Sequence, residues 1–227
     1  TAAGGGLAVL GGSTNFAFSS ISSNAAFSLS NFSLVNGAGV FMEDGLLILS
    51  GMSIVRNIAD GVGSQVQGGG LCILGSSTIM ANASVLNDNF AQIAGGGAWI
   101  SGQASGRMDN SMVSQNKAGI GGGIGLSESA SVELESCTLR MNEALRGETF
   151  FSWGGGVSIE VRHTTVVGDV GSFALVMGKH TVVMGSGTTY RCLQPGMTLQ
   201  FPSGSPHPRF SIFKRSARVS GLGMQTM

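Results

Sequence analysis

The 227 residues and 23.0 kDa exclude a large multi-domain machine and make one continuous architecture the default. Apolar residues at 42% supply an interior, while 38 glycines, 11% charged residues and four prolines fit neither a disordered tail nor collagen, and the Gly, Ser, Asn and Val bias disfavours helix bundles. Twelve basic groups balance twelve acidic ones, so no net field draws the chain to nucleic acid or to an anionic membrane.

A repetitive all-β structure remains. The first predicted element is Gly6-Leu7-Ala8-Val9, a Gly followed by apolar, variable and apolar residues. The pattern returns at Gly39-Val40-Phe41-Met42, Gly70-Leu71-Cys72-Ile73, Gly97-Ala98-Trp99-Ile100, Gly123-Ile124-Gly125-Leu126 and Gly156-Val157-Ser158-Ile159, mostly after two further glycines. Consecutive motif glycines are separated by roughly 26–33 residues, which suits one coil of a solenoid. Period-2 alternation puts Leu7 and Val9, and their equivalents, on an inner face of successive short strands, and Ala8, Phe41, Cys72, Trp99, Gly125 and Ser158 on the outer one.

Further strands are predicted within the coils at residues 46–49, 78–81, 107–108 and 131–134. A second pattern follows them, an aliphatic residue three positions before Asn with Ala two positions after it, at Asn24, Asn57, Asn89, Asn116 and Asn142. Gly-rich runs fit sharp corners that need positive φ or close backbone approach. The Asn residues fit a second corner, where the backbone tolerates the left-handed region and stacked amides bond along the axis. The stretch from Asn to the next motif Gly is long from Asn24 to Gly39, from Asn57 to Gly70 and from Asn142 to Gly156. It is much shorter from Asn89 to Gly97 and from Asn116 to Gly123, which predicts long loops at both ends of one edge.

These two motifs together resemble the repeat region of the chlamydial polymorphic outer-membrane proteins, with their Gly-Gly-Ala-aliphatic and Phe-x-x-Asn repeats. Ile54, Leu86, Val113 and Leu139 stand where that family carries Phe. The resemblance covers about residues 4–160 and implies a right-handed parallel β-helix, in a pectate-lyase-like fold, that is secreted or displayed on a surface for adhesion or as a spacer. The expected fold is therefore all-β, a solenoid of about six to seven coils over residues 1–184. It is followed by an irregular, basic, Pro-containing segment, 185–227, that is a cap, a linker or disordered.

That boundary accompanies a charge shift. Residues 1–169 hold all twelve acids and six bases, whereas 170–227 hold six bases and all four prolines. No initiator Met, signal-like apolar segment or membrane span is visible, so the piece reads as a mature segment or as a fragment of a longer chain.

Chemistry is harder to find. Cys72, Cys137 and Cys192 lack metal-ligand spacing, and His163, His180 and His207 form no triad with Ser and Asp, so no cofactor or metal is expected. A polysaccharide lyase or glycoside hydrolase needs two carboxylates facing one groove. Asp109 with Glu133 or Glu135 stack about one repeat apart, with Arg107 beside them, and are the candidates. Phe41 and Trp99 on the outer face are candidates for stacking against sugars or another protein. The expectation is a non-catalytic extracellular or cell-surface scaffold with a structural or adhesive role. Its partner would be carbohydrate or a matrix or cell-surface protein. The alternatives are a carbohydrate-active enzyme and a spacer fragment of a longer array.

Overall fold

The computed structural model describes residues 2–3, 5–29, 34–62, 65–154 and 156–168, together with the backbone of the strands Ala174–Met177, Thr181–Met184, Thr189–Cys192, Thr198–Gln200 and Arg218–Ser220. His180, His207 and the nature of the C-terminal end lie outside the described residues. Every strand pairing among the described residues is parallel, and the strands stack into a parallel β-helix. No helix among the described residues is long and apolar enough to cross a membrane.

Each coil carries three strands and a fourth segment that returns to the glycine corner. In one central coil these are Leu71–Leu74, Thr78–Asn82, Val85–Asn87 and Phe90–Ala94. In the first two full coils the leading strands run together, as Leu7–Ala17 and Val40–Ser50. The third sheet counts seven rungs, from Ser20–Ser22 to Thr189–Cys192. Strand pairing thus extends a short way into the segment set apart from 185 on composition.

The alternation in sequence becomes vertical columns. Leu7, Val40, Leu71, Ala98, Ile124 and Phe150 are successive register partners on the first strands. Ile21, Ile54, Leu86, Val113, Leu139 and Val166 are partners on the third. All belong to or pack against one continuous apolar core. Each residue between the column ends is sealed by the coil above and the coil below, whereas Leu7 and Ile21 at the N-terminal end stay partly exposed, so burial, and with it most of the stability, is a property of neighbouring coils rather than of any one repeat.

The sixth Gly motif is corrected by this register. Ile124 pairs with Phe150, and Ser131 pairs with Ser158, so Gly156-Val157-Ser158-Ile159 belongs to the second strand of its coil, beside Ala130 and Val132. Gly154 and Gly156, both at positive φ, form the turn between first and second strands that Glu128 and Ser129 form one coil earlier. The corner itself is Gly147-Glu148-Thr149-Phe150, where Thr149 takes the motif Gly position. Gly156 is therefore not a corner of the Gly series. The step from Gly123 to Thr149 then equals the one from Gly97 to Gly123, and Asn142 to Thr149 is as short as Asn116 to Gly123. The long inserts gather at the N-terminal end alone.

The two sequence motifs are two sides of one joint. Asn24, Asn57, Asn89, Asn116 and Asn142 form a ladder in which the Nδ2 and the backbone N–H of each of the first four donate to Oδ1 of the Asn in the next coil, at 2.9–3.1 Å. The second Nδ2 hydrogen goes to a carbonyl of the preceding coil, such as Leu86 O for Asn116. The motif glycines lie against these amides. A Cβ on Gly97 would stand 2.5 Å from Gly123 O and 3.0 Å from Asn116 Nδ2. Gly6, Gly39, Gly70 and Gly123 face Asn24, Asn57, Asn89 and Asn142 in the same way. At these positions glycine is required for close approach, whereas in the runs from Gly37 onward the positive φ falls on the first residue, for example +67° at Gly68 and +66° at Gly95.

At the Asn corner the left-handed residue is not the Asn. It is the residue before it, namely Ser23, Arg56, Asp88, Gln115 and Met141. A second left-handed series, Gly51, Ala83, Asn110, Ser136 and His163, precedes a ladder that mixed residue types conceal in the sequence. There Met52 N–H donates to Ser84 Oγ, Ser84 N–H to Ser111 Oγ, Ser111 N–H to the Cys137 sulfur and Cys137 N–H to Thr164 Oγ1. Most of these left-handed residues carry a Cβ, which costs roughly 1–2 kcal/mol each. The ladder bonds on the following residue offset that strain.

One buried group breaks the pattern. Ser152 occupies the column of Val9, Met42, Ile73, Ile100 and Leu126, is fully buried, and its Oγ has no hydrogen-bond partner among the described residues. An orphaned buried hydroxyl costs about 1–3 kcal/mol. Ser152→Ala is therefore expected to raise stability by about 1 kcal/mol, read as a higher urea midpoint at unchanged far-ultraviolet circular dichroism.

Candidate functional site

The outer column of the first strands runs Ala8, Phe41, Cys72, Trp99, Gly125 and Phe151. Phe41 and Trp99 occupy it as expected, but they are not an exposed aromatic face, being only 5% and 4% exposed. Ala94 with half-buried Leu74, Ile93 and Ile120 packs on them, because the segments entering the glycine corners fold back over this side. The indole of Trp99 extends over Gly125 in the next coil, where a side chain would collide with its six-membered ring. Burial, with Glu43 nearby, pushes the Cys72 thiol far up, and burial also raises that of Cys137, so both stay protonated and unreactive.

The charged candidates share the outer face of the second strands. Arg107 pairs in register with Glu133, and Asp109 with Glu135, bringing all four together as the spacing predicts. Arg107 Nε donates to Asp109 Oδ2 at 3.0 Å, and Arg107 Nη1 to Glu133 Oε2 at 3.2 Å. The hydrogen bond to Asp109 and the surrounding acids hold the guanidinium proton above its usual affinity. One coil further, Glu160 pairs with Arg162, and Glu135 meets His163 Nδ1 at 2.7 Å. The cluster is a compensated ladder on an open surface. Exposed pairs of this kind contribute at most about 1 kcal/mol each.

Concavity lies elsewhere. A groove of about 840 Å³ runs along the coil axis beside the first strands. Phe41 and Trp99 form its floor. One wall follows the rung column Leu10, Glu43, Leu74, Ser101, Ser127 and Trp153, in which the Ser127 hydroxyl donates to Ser101 Oγ at 2.7 Å. The opposite wall comes from the long N-terminal inserts through Leu34, Asn36, Gln65 and Gln67. Insertion length decides this geometry. Ala91 pairs with Ala59 and Ala94 with Gln67, so the second insert leaves the coil after Ala59 and rejoins it near Gln67, raising a rim that the short inserts of later coils lack.

Sequence reasoning finds the floor and the long N-terminal inserts of one rim but misses Trp153. Trp153 is 63% exposed and closes the far end of the groove. It escapes notice when Gly154–Gly156 is taken as a corner, because Trp153 then falls outside any strand. The equal spacing from Asn116 to Gly123 and from Asn142 to Thr149 is the signal that places it. Among the described residues the groove carries two carboxylates, Glu43 and Glu128, and neither Arg107, Asp109, Glu133 nor Glu135 lines it. Glu43 and the turn of Glu128 are three coils apart, about 14 Å at strand spacing. Paired glycosidase carboxylates stand about 5–10 Å apart.

Set against known proteins, the chain matches no protein-family model, no curated protein and no solved structure.

Proposed function

We propose that this β-helix is a non-catalytic scaffold, secreted or displayed at a cell surface, that serves adhesion through the axial groove and its insert-built rim. The observation that carries the reading is the groove itself. It couples a rigid stack of coils to two N-terminal inserts, an aromatic floor and an exposed Trp153, while its carboxylates are too far apart to act as an acid and base on one bond. The Gly-Gly-Ala-aliphatic repeats, which resemble those of chlamydial polymorphic outer-membrane proteins, support a surface role, and a place within a longer repeat chain accords with it.

The test is a binding screen against glycans and matrix proteins, run beside a polysaccharide depolymerisation assay on the same sample. Saturable binding without product release is expected. Release of oligosaccharides, abolished by Glu43→Gln, Asp109→Asn or Glu133→Gln, would overturn the non-catalytic assignment.

A further inference from the structure

Resting on that adhesive reading, we propose that the groove takes an extended, uncharged β-linked glycan laid parallel to the coil axis. Charge excludes an anionic glycan. Among the described residues the groove is lined by Glu43 and Glu128 and by no Lys, Arg or His, so a uronate or sulfated chain entering it would lose hydration and gain only repulsion.

Spacing favours a sugar chain. Trp99 stands two coils beyond Phe41, and the strand bearing Trp153 stands two coils beyond Trp99. At strand spacing each step is about 10 Å, the length of one disaccharide in an extended β-linked chain. Trp153 offers the accessible ring on which the apolar face of a sugar stacks, while Phe41 and Trp99, covered by their neighbours, present only ring edges to the groove floor.

An unfilled polar group marks a contact point. Asn36 lines the groove at 6% exposure, and its Oδ1 has no hydrogen-bond partner among the described residues. Buried polar atoms are almost always paired, so an amide left over at a groove wall marks a place where a ligand donor belongs. Gln65 and Gln67 stand on the same wall. Amides both donate and accept, which suits sugar hydroxyl and acetamido groups and gives no preference for a charged ligand.

The two tryptophans of the chain both line this groove, so tryptophan fluorescence reports on it alone. The full chain is titrated with cello-oligosaccharides and chitin oligosaccharides of two to eight sugars, with oligogalacturonate and with oligolysine. The expected result is a saturable fluorescence change with a neutral series, with affinity rising in disaccharide steps. Trp153→Ala is expected to weaken binding about tenfold, read by calorimetry, with no change in the unfolding midpoint because the ring is exposed. Gln65→Ala, at an exposed rim position, should weaken it less. A response to oligogalacturonate or oligolysine in place of the neutral series overturns the glycan class but leaves an adhesive groove. Capture of a matrix protein with unchanged affinity in Trp153→Ala overturns the groove assignment and leaves the adhesive role. Failure of every ligand in both this titration and the broader screen sinks the two readings together.

Discussion

Asn116→Leu is expected to cost about 4 kcal/mol or more, among the largest effects of any single substitution in the molecule. The fully buried Asn116 accepts from the Asn89 backbone N–H and Nδ2, and donates from its own Nδ2 to Leu86 O and Asn142 Oδ1. Leucine removes four bonds at once and strands partners on both adjacent coils, each with a desolvation cost of about 1–3 kcal/mol that relaxation only partly relieves. Its extra apolar surface adds little, since the amide already fills the space against Gly97. Asn116→Asp keeps the acceptor but removes both donors and buries a charge, so it should be no milder. Urea denaturation followed by circular dichroism measures both. A loss below about 1 kcal/mol would show that the ladder adds little beyond backbone pairing.

Ile124→Asp should be larger still. Ile124 is fully buried, with Ala98 and Phe150 as its register partners in adjacent coils. An unpaired carboxylate there is worth several kcal/mol of destabilisation, comparable with the whole stability of an ordinary domain. Because coils interact only with neighbours, the loss should appear as unfolding that spreads from the centre rather than as a local defect. Ser158→Asp is the control. Its side chain points outward and is half-buried on the second strand, next to Ser131, and the expected change is within about 0.5–1 kcal/mol. Equal tolerance of the two would mean that the assignment of inner and outer faces is wrong.

How much of this is legible in the sequence follows from what each motif encodes. Aliphatic alternation fixes which side faces the core, so the columns through Val40, Leu71 and Ile124, and through Ile54, Leu86 and Val113, are readable directly. The Asn series is readable because one residue type recurs at one place. The hydroxyl ladder is not, since Ser84, Ser111, Cys137 and Thr164 share a geometry but not a name. The glycine pattern puts Val157 in the wrong column, because a glycine run reports tight backbone without saying which corner is tight. The true sixth corner has Glu148 and Thr149 where its sisters carry glycines or, at Ala38, alanine. The candidate site is half legible for a related reason. Phe41 and Trp99 can be placed on the outer column, but their covering comes from residues such as Ile93 and Ile120, whose position depends on loop length rather than on any motif.

Coils stacked in register from the first strand to the sixth underlie the columns, the ladders and the groove alike. Spin labels at Leu10 and Trp153, the exposed ends of one rung column five steps apart, measure that register in a background where the native cysteines are replaced. Pulsed dipolar spectroscopy should give a single narrow distance of about 24 Å, five strand spacings, once the label arms are allowed for. A broad distribution, or a separation well beyond that value, would contradict the stacking.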